Sequence, residues 1–278
     1  MIKINVLLEN YSINDQYKSG HGLSVLINYN DSNILLDVGP DNKFIGNAIK
    51  TGIDLTKVDY LFLSHSHIDH TGGINDFIKI NNRAPIYLMD NIDNKYYIKV
   101  FFLNIPIGLK LDKKFRSRIT QVKDDLIMDN MNDKIYFLKN MVSKYQKPTF
   151  NKNLYKKDKN KIVNDNFDHE GILVLEENNE LLIFNSCSHN GILNVIETVK
   201  TKIPNKKIRS YLGGLHLFNP PTKTNESPEY LDYLIKELRN MDITIYTGHC
   251  TGRYALNYMK DALGSMIQEI NTGMELSL

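Results

Sequence analysis

The chain has 278 residues, of which 42% are hydrophobic and 24% charged, and its net charge is +2. This composition is typical of a globular protein with a sizeable core, and it excludes a disordered or fibrous chain. A net charge this small indicates no partner by itself. No apolar run reaches the roughly 18 residues of a membrane-spanning helix, and the first residues lack the pattern of a signal peptide. Because the two cysteines, Cys187 and Cys250, make no disulfide framework, we expect a reduced, cytoplasmic setting without a membrane partner.

Alternating strands and helices are predicted along the chain from apolar runs and turn residues. Helices are expected at 44–54 and 190–203, and a third begins at Ser227, a capping residue followed by a proline. Asn178 and Asn179 are typical of the turn of a hairpin. The predicted strands cover 3–10, 23–30, 33–39, 59–65, 169–177, 180–189, 207–217 and 242–250.

Residues 91–165 differ from the rest of the chain in charge. They contain 17 Lys and Arg, 8 Asp and no Glu, a net charge of +9, which leaves −7 on the remainder. We predict one domain over residues 1–278, in which 91–165 is a mostly helical insertion, basic and aromatic, that leans over the functional site. It is either a solvated face or a cap that attracts an anionic substrate. Phe101, Phe102 and residues 104–108 are the candidates for its pocket wall and for substrate contact.

Histidines are concentrated in the sequence LSHSHIDHTGG, which follows a buried strand. His65, His67 and His70 lie within six residues of one another, and Asp69 lies between the last two. Without a bound ion, three imidazoles and a carboxylate this close together would repel one another or lack partners, which costs free energy. A purely structural role therefore explains them poorly. Three further apolar runs end at or near a histidine, namely His189, His216 and His249. Strands that end at one edge of a sandwich can bring such side chains together.

Neutral imidazoles and a carboxylate are ligands for zinc, iron or manganese. A structural zinc finger would need four closed ligands, usually with paired thiolates, whereas the cysteines here are single and distant in sequence. The number of candidate ligands exceeds what one tetrahedral ion can use. We therefore expect two divalent ions with positions open to water, zinc being the first choice and manganese or iron the alternatives. The cysteines are expected to pack beside this pocket without reacting.

The motif His65-Ser66-His67-Ile68-Asp69-His70 resembles the H-x-H-x-D-H motif of the metallo-β-lactamase superfamily. Five further motifs follow the order seen in the branch of metallohydrolases similar to dihydropterin–ribofuranosylaminobenzene phosphate synthase. These are HGLSVLI and ILLDVGP before it, and CSHNGILN, GGLHLFNP and GHCTG after it. The resemblance covers nearly the whole chain outside 91–165.

This resemblance implies an α/β fold, an αββα sandwich of two mixed sheets with the metals at one edge. His65, His67 and His189 would hold the first metal, and Asp69, His70 and His249 the second. Many members carry a bridging aspartate where this chain has Gly213 and Gly214 before His216. His216 is therefore either a metal ligand or a substrate contact, and Asp37 either orients a ligand histidine or caps its own turn.

Three functions are compatible with the sequence. The first is a dinuclear-metal hydrolase or transferase that acts on a phosphorylated, pterin-like small molecule through a metal-activated water, with Asp69 or His216 as the catalytic proton carrier. The second is a nuclease or phosphodiesterase of the same superfamily, which the acidic body makes less favoured, so nucleic acid is not expected as a partner. The third is a metal or redox sensor without enzymatic activity. A homodimer is an alternative to a monomer.

Overall fold

The computed structural model of the chain describes residues 1–129 and 134–278. Residues 130–133, which belong to the segment predicted as an insertion, lie outside the described residues. The strands in chain order are β1 Lys3–Leu8, β2 Ser24–Tyr29, β3 Ser32–Leu36, β4 Tyr60–Leu63, β5 Ile86–Leu88, β6 Tyr96–Val100, β7 Leu103–Pro106, β8 Ile119–Gln121, β9 Leu126–Asp129, β10 Lys134–Lys139, β11 Leu154–Asp158, β12 Lys161–Asn164, β13 Gly171–Glu177, β14 Glu180–Phe184, β15 Lys207–Leu212, β16 Phe218–Asn219, β17 Thr224–Asn225, β18 Thr244–Thr247, β19 Ile267–Glu269 and β20 Glu275–Ser277.

The helices occupy both outer faces of the fold. Short 3-10 helices cover Leu55–Lys57, Lys113–Arg118, Thr149–Asn153, His249–Thr251 and Gly264–Met266. The α-helices in chain order are α1 Lys43–Lys50, α2 Ile68–Thr71, α3 Ile74–Ile80, α4 Ile192–Lys202, α5 Pro228–Leu238 and α6 Arg253–Leu263. No helix of the described chain is both long and apolar enough to cross a membrane.

Two large sheets share one pattern. Within the described residues, one sheet has the order β20-β1-β2-β3-β4-β5-β8 and the other has β19-β18-β15-β14-β13-β10-β9. In the first, the strands pair antiparallel from β20 to β3 and parallel from β3 to β8. In the second, they pair antiparallel from β9 to β14 and parallel from β14 to β19. Both sheets are therefore mixed, as the sequence predicted.

Three buried apolar clusters define the layers. The central one lies between the sheets, where Ile4 and Phe62 of the first sheet meet Phe137 and Phe184 of the second. A second cluster joins the first sheet to α1 and α3, and a third joins the second sheet to α4, α5 and α6. Burial of these faces drives the assembly because each sheet is apolar on both sides. The result is an αββα sandwich, and the predicted fold class is confirmed.

Local predictions outside 91–165 agree well with the structure. Asn178 and Asn179 have φ values of 51° and 65° and connect β13 to β14, as a tight hairpin turn requires. The Ser227 side chain accepts a hydrogen bond from the Tyr230 backbone N–H at the start of α5, with a proline in the first turn. These turns and caps are determined by neighbouring residues, which is why the sequence was sufficient to predict them.

Residues 91–165 are not mostly helical, so that prediction is wrong. Strands β6, β7, β11 and β12 form a separate sheet of four, whereas β8 joins the first large sheet and β9 and β10 join the second. The helical segments found there are the two short 3-10 helices, as far as the structure describes this part of the chain. Tyr, Ile and Val, which favour strands once a pairing partner is present, make up most of β6 and half of β12.

Candidate metal centre

The ends of four strands deliver histidines to one edge of the sandwich. His65 follows β4 in the first sheet, and His189, His216 and His249 follow β14, β15 and β18, which are adjacent in the second sheet. Helix α2 then turns the chain at Gly72, where a Cβ atom would lie 2.0 Å from the Pro40 carbonyl oxygen. Only glycine permits this close approach, which holds α2 against the rest of the edge.

The first cluster consists of His65, His67 and His189. Their ligand nitrogens lie within 4.8 Å of one another, and all three side chains are buried. Nε2 of His65 lies 3.1 Å from Nδ1 of His67, while Nε2 of His189 has no hydrogen-bond partner. The structure thus brings together the three residues predicted to hold the first metal.

The second cluster consists of Asp69, His70, Cys187 and His249. Nε2 of His70 lies 3.2 Å from Nε2 of His249 and 3.1 Å from Sγ of Cys187. Oδ2 of Asp69 lies 3.5 Å from each of the two histidine nitrogens. The predicted ligands of the second metal therefore converge, and a thiol that the sequence interpretation considered passive lies among them.

The two clusters differ in their preferred charge. Burial lowers the pKa of His65 and His189 well below the usual range, that of His67 to about 4 and that of His249 to about 3. These imidazoles are therefore neutral at pH 7 and each has a lone pair to donate. Burial also opposes charge on His70, but the carboxylates of Asp69 and Asp37 outweigh it and raise the pKa of His70 to about 9. Positive charge is most favoured at the second cluster.

Asp37 connects the second cluster to the strands behind it. One of its carboxylate oxygens accepts the Ser64 backbone N–H at 2.7 Å, and the other accepts the Ser64 hydroxyl and Nδ1 of His70, both at 2.7 Å. The carboxylate is fully buried. With Nδ1 engaged, His70 presents Nε2 to the cluster, which is the contact that a ligand-orienting role for Asp37 requires.

Other residues hold the remaining histidines, and the sequence analysis missed them. Nδ1 of His249 lies 3.1 Å from Oδ1 of Asn10, and Nδ1 of His189 lies 3.2 Å from Oδ1 of Asn151. The backbone N–H groups of His249 and His189 donate to the buried carboxylates of Glu9 and Glu170, which therefore fix the two strand ends. Glu9 and Asn10 directly follow the apolar strand β1, and this position could have indicated that they lie at the end of a strand, as the histidines do.

His169 also belongs to this edge of the fold. Its Nε2 lies 2.9 Å from Oδ2 of Asp165, and its Nδ1 has no partner. Together with His67 these two residues form a third group of potential ligands. Nε2 of His21 lies 3.4 Å from Oδ2 of Asp69. All eight histidines of the chain therefore lie at or beside one edge of the fold.

A cavity of about 220 Å³ opens onto both clusters. His216 lines it, with its ring centroid 4.2 Å from that of His189 and with neither ring nitrogen hydrogen bonded. His216 belongs to neither cluster of converging ligand atoms. The lining residues are His21, His67, Ile68, Asp69, Ile98, Ile107, Leu154, Cys187, His189, His216, Phe218, Pro220, Pro221 and Cys250.

The segment 91–165 reaches this cavity through Ile107, which belongs to the predicted wall residues 104–108, but not through the two predicted phenylalanines. Ile98, Ile107 and Leu154 line it, and the Ile107 carbonyl accepts the Ile68 backbone N–H at 2.7 Å. Phe101 and Phe102 lie where β6 turns into β7, with 89% and 86% of their surface exposed, and they are not among the lining residues. Their place in the pocket wall is therefore corrected, because the strand pairing directs this tip away from the cavity.

The residues present fit divalent transition-metal ions. Five buried imidazoles, one carboxylate and one thiol supply the nitrogen, oxygen and sulfur donors that zinc and its neighbours prefer. Nε2 of His67 and Nε2 of His189 are buried without a hydrogen-bond partner, a state that costs free energy unless something binds them. Mg²⁺ or Ca²⁺ would require mainly oxygen ligands. The donor set therefore favours ions such as zinc.

Comparisons with known proteins agree with this geometry. A family model described as the metallo-beta-lactamase superfamily matches residues 18–100. The chain is 28% identical to the 7,8-dihydropterin-6-methyl-4-(beta-D-ribofuranosyl)-aminobenzene-5'-phosphate synthase of Methanocaldococcus jannaschii, over 98% of this chain and 95% of that protein. It is 27% identical to an uncharacterized protein of the same organism, over 91% of this chain and 92% of the other.

A solved structure described as a metal-dependent hydrolase of the beta-lactamase superfamily superposes with a TM-score of 0.82. The match covers 100% of this chain and 99% of that chain, at 23% sequence identity. This similarity concerns the fold.

Proposed function

We propose that this chain, which has the metallo-β-lactamase fold and the sequence resemblance to that superfamily, is a dinuclear-metal hydrolase or transferase. Its substrate is a phosphorylated, pterin-like small molecule. The observation that carries the proposal is the convergence of two clusters of buried ligand atoms on one cavity. One tetrahedral ion cannot use seven donors, whereas two ions with open positions can.

Each cluster would hold one ion, the first through His65, His67 and His189, and the second through Asp69, His70 and His249. Divalent ions bound there would lower the pKa of a bound water and polarise a phosphoryl or carbonyl oxygen. The chain contributes orientation: Asp37 fixes the ring of His70, while Asn10 and Asn151 fix those of His249 and His189. Preorganised ligands of this kind reduce the cost of rearrangement during the reaction.

Two residues are proposed to move protons or contact the substrate. Asp69 has a partly exposed carboxylate at the cavity and lies near both His70 and His249. His216 lines the cavity and presents two unbonded ring nitrogens beside His189, and burial lowers its pKa to about 3, so the ring is neutral at pH 7 and can form hydrogen bonds to the substrate or to a group that is transferring a proton. Its φ of 53° places it in the left-handed region, a strained conformation that is frequent at functional sites.

The proposed substrate class rests on the cavity and on the named relative. Ile98, Ile107, Leu154 and Phe218 give the cavity apolar walls that suit a flat aromatic ring. The metals and His21 would receive an anionic group at its other side. The relative whose name describes a pterin-linked ribofuranosyl phosphate product aligns along almost the whole chain. A nuclease is less favoured because no Lys or Arg lines the cavity within the described residues.

A substrate panel tests this proposal. Protein loaded with zinc would be assayed on phosphomonoesters, phosphodiesters, and a dihydropterin supplied with an aminobenzene ribofuranosyl phosphate. We expect turnover on the phosphorylated small molecules that is lost in His65→Ala and in His249→Ala. Turnover only on RNA or DNA would favour the nuclease instead, and two bound metals with no turnover on any class would favour a sensor.

A further inference from the structure

Cys187 lies inside the second cluster rather than beside it. Its Sγ is 3.1 Å from Nε2 of His70, and it groups with Asp69 and His249 as a potential ligand. Ligands bound 2.0–2.3 Å from one tetrahedral ion lie roughly 3.3–3.8 Å from each other. The separations around His70, between 3.1 and 3.5 Å, are close to this range. Four donors are therefore arranged as the corners of one coordination site.

The charge balance of a loaded site also favours an additional anionic ligand such as a thiolate. Asp69 is the only carboxylate among the ligand groups of the two clusters in the described residues, and the nearby carboxylate of Asp37 contacts Nδ1 of His70 instead. Two divalent ions would bring four positive charges to a set of ligands that includes a single carboxylate. Burying unbalanced charge is costly, so a second anionic ligand would stabilise the loaded centre.

The end of β15 cannot supply that anion. A Cβ atom at Gly213 would lie 1.9 Å from the Asn185 carbonyl oxygen, and one at Gly214 would lie 2.4 Å from Sγ of Cys250. Neither position accepts a side chain unless the backbone moves. A carboxylate on this strand end is therefore excluded by packing, and the sulfur of a cysteine fills the adjoining space.

The thiol of Cys250 is hydrogen bonded to Cys187. The backbone N–H of His216 donates to Sγ of Cys250 at 3.2 Å, and the Cys250 thiol donates to Sγ of Cys187 at 3.5 Å and to the Cys187 carbonyl at 3.6 Å. A chain of hydrogen bonds therefore runs from the His216 backbone N–H through the Cys250 thiol to Sγ of Cys187. Hydrogen bonds of this kind stabilise a thiolate. Both cysteines line the cavity.

We propose that Cys187 is a ligand of the second metal ion and that Cys250 is the hydrogen-bond donor that positions its thiolate. On binding, the Cys187 thiol releases one proton to solvent and its sulfur forms the bond to the metal. The proposal rests on the dinuclear site proposed above and adds a selectivity to it. A thiolate favours zinc, cobalt or iron over manganese and magnesium.

Cobalt substitution tests the sulfur ligand directly. Metal-free protein would be titrated with Co²⁺, and the near-ultraviolet absorption of thiolate-to-cobalt charge transfer would be recorded for the natural protein and for Cys187→Ser and Cys250→Ser. The second variant removes the neighbouring, equally buried sulfur but keeps a hydroxyl donor towards Cys187, so it distinguishes which of the two sulfurs is the ligand. We expect the band in the natural protein and in Cys250→Ser, and its loss in Cys187→Ser. Affinity for the second Co²⁺ should fall by about 10- to 100-fold in Cys187→Ser.

A band that persists in Cys187→Ser, or that is lost in Cys250→Ser alone, would overturn the proposal. Should Cys187→Ser not fold, X-ray absorption of the zinc-loaded natural protein provides the answer without a variant, through a Zn–S distance of about 2.3 Å. Two bound ions without any sulfur ligand would contradict this inference alone. Fewer than two ions per chain would contradict the proposed function instead.

Discussion

The two ligand clusters of this chain lie at one edge of the fold but differ in chemistry. The first contains only imidazoles whose pKa values are lowered by burial, whereas the second contains one such imidazole, His249, together with a carboxylate, a thiol and His70, whose pKa is raised. A neutral set of donors stabilises a cation less than a set that carries negative charge. We infer that the second cluster binds its ion more tightly and that the first determines whether the centre is fully loaded.

The groups that orient the histidine rings differ as well, and the carboxylate among them contacts a ring of the second cluster. The buried carboxylate of Asp37 contacts His70, while amide oxygens of Asn151 and Asn10 contact His189 and His249. A hydrogen bond to an ionised carboxylate is roughly twice as strong as one between neutral groups. Removing Asp37 should therefore weaken the centre more than removing either asparagine.

The largest effect is expected from Asp69→Asn, which removes the charged donor of the second cluster without changing its size. We predict that metal content falls from two ions to one per chain and that turnover falls by at least about 100-fold. The thermal midpoint of the metal-free protein should change little, because a core of this size folds without metal. Elemental analysis and calorimetry measure both quantities. Retention of two ions with normal turnover would show that Asp69 is not a ligand.

His216→Ala distinguishes the remaining two roles of this histidine. Since His216 lies in the cavity but outside both clusters, we predict that two ions stay bound while kcat falls by about 100-fold, as on loss of a proton carrier. Metal content and steady-state kinetics are measured on the same preparation. Loss of the second ion would instead identify His216 as a ligand.

Two substitutions compare the residues that orient the ligand histidines: Asp37→Asn affects His70 of the second cluster, and Asn151→Ala affects His189 of the first. Asp37→Asn should lower the affinity for the second ion by about 10- to 100-fold, and Asn151→Ala should lower that for the first by about tenfold or less. Competition with a chromogenic chelator gives both constants. The inferred asymmetry would be contradicted if both variants lost the same amount of affinity. It would also be contradicted if Asp37→Asn weakened binding of the first ion or Asn151→Ala that of the second.

The smallest effect is expected from the basic segment. No Lys or Arg of the described residues lines the cavity, and Arg116 and Arg118 are engaged with Asp93 and with the carbonyls of Asn81 and Ala84. Lys113→Gln with Lys114→Gln should raise the KM of a phosphorylated substrate by no more than about threefold at low salt, and not at all at high salt, where the field is screened. An unchanged KM at low salt would mean that these charges form only a solvated face.

The sequence predicted the ligand clusters better than their surroundings for a physical reason. His65, His67, Asp69 and His70 are adjacent in the chain, and the other histidines follow apolar strands whose ends meet at one edge. Asn151 and Glu170 contact these histidines without any local pattern that pointed to them, whereas Glu9 and Asn10 could have been suspected only from their position at the end of β1. The sequence placed Cys187 beside the pocket, two residues before His189, but its proximity to Asp69, His70 and His249 is visible only in three dimensions.

The segment 91–165 was predicted least well. Its strands pair with partners that are far apart in the chain, such as β8 with β5 and β10 with β13, and such pairing leaves little trace in local periodicity. Its lysines and aromatics suggested amphipathic helices, and β7 is exposed along its whole length and too short for the alternating positions of Leu103 and Ile105 to stand out. That the segment reaches the cavity was predicted correctly, through Ile98 and Ile107 rather than through the two phenylalanines.

Anomalous X-ray diffraction from crystals of zinc-loaded protein tests the central claim most directly. The dinuclear account predicts two peaks about 3.5–4 Å apart, one contacted by His65, His67 and His189 and the other by Asp69, His70 and His249. A single peak, or two peaks with His70 and His249 turned away from both, would contradict it.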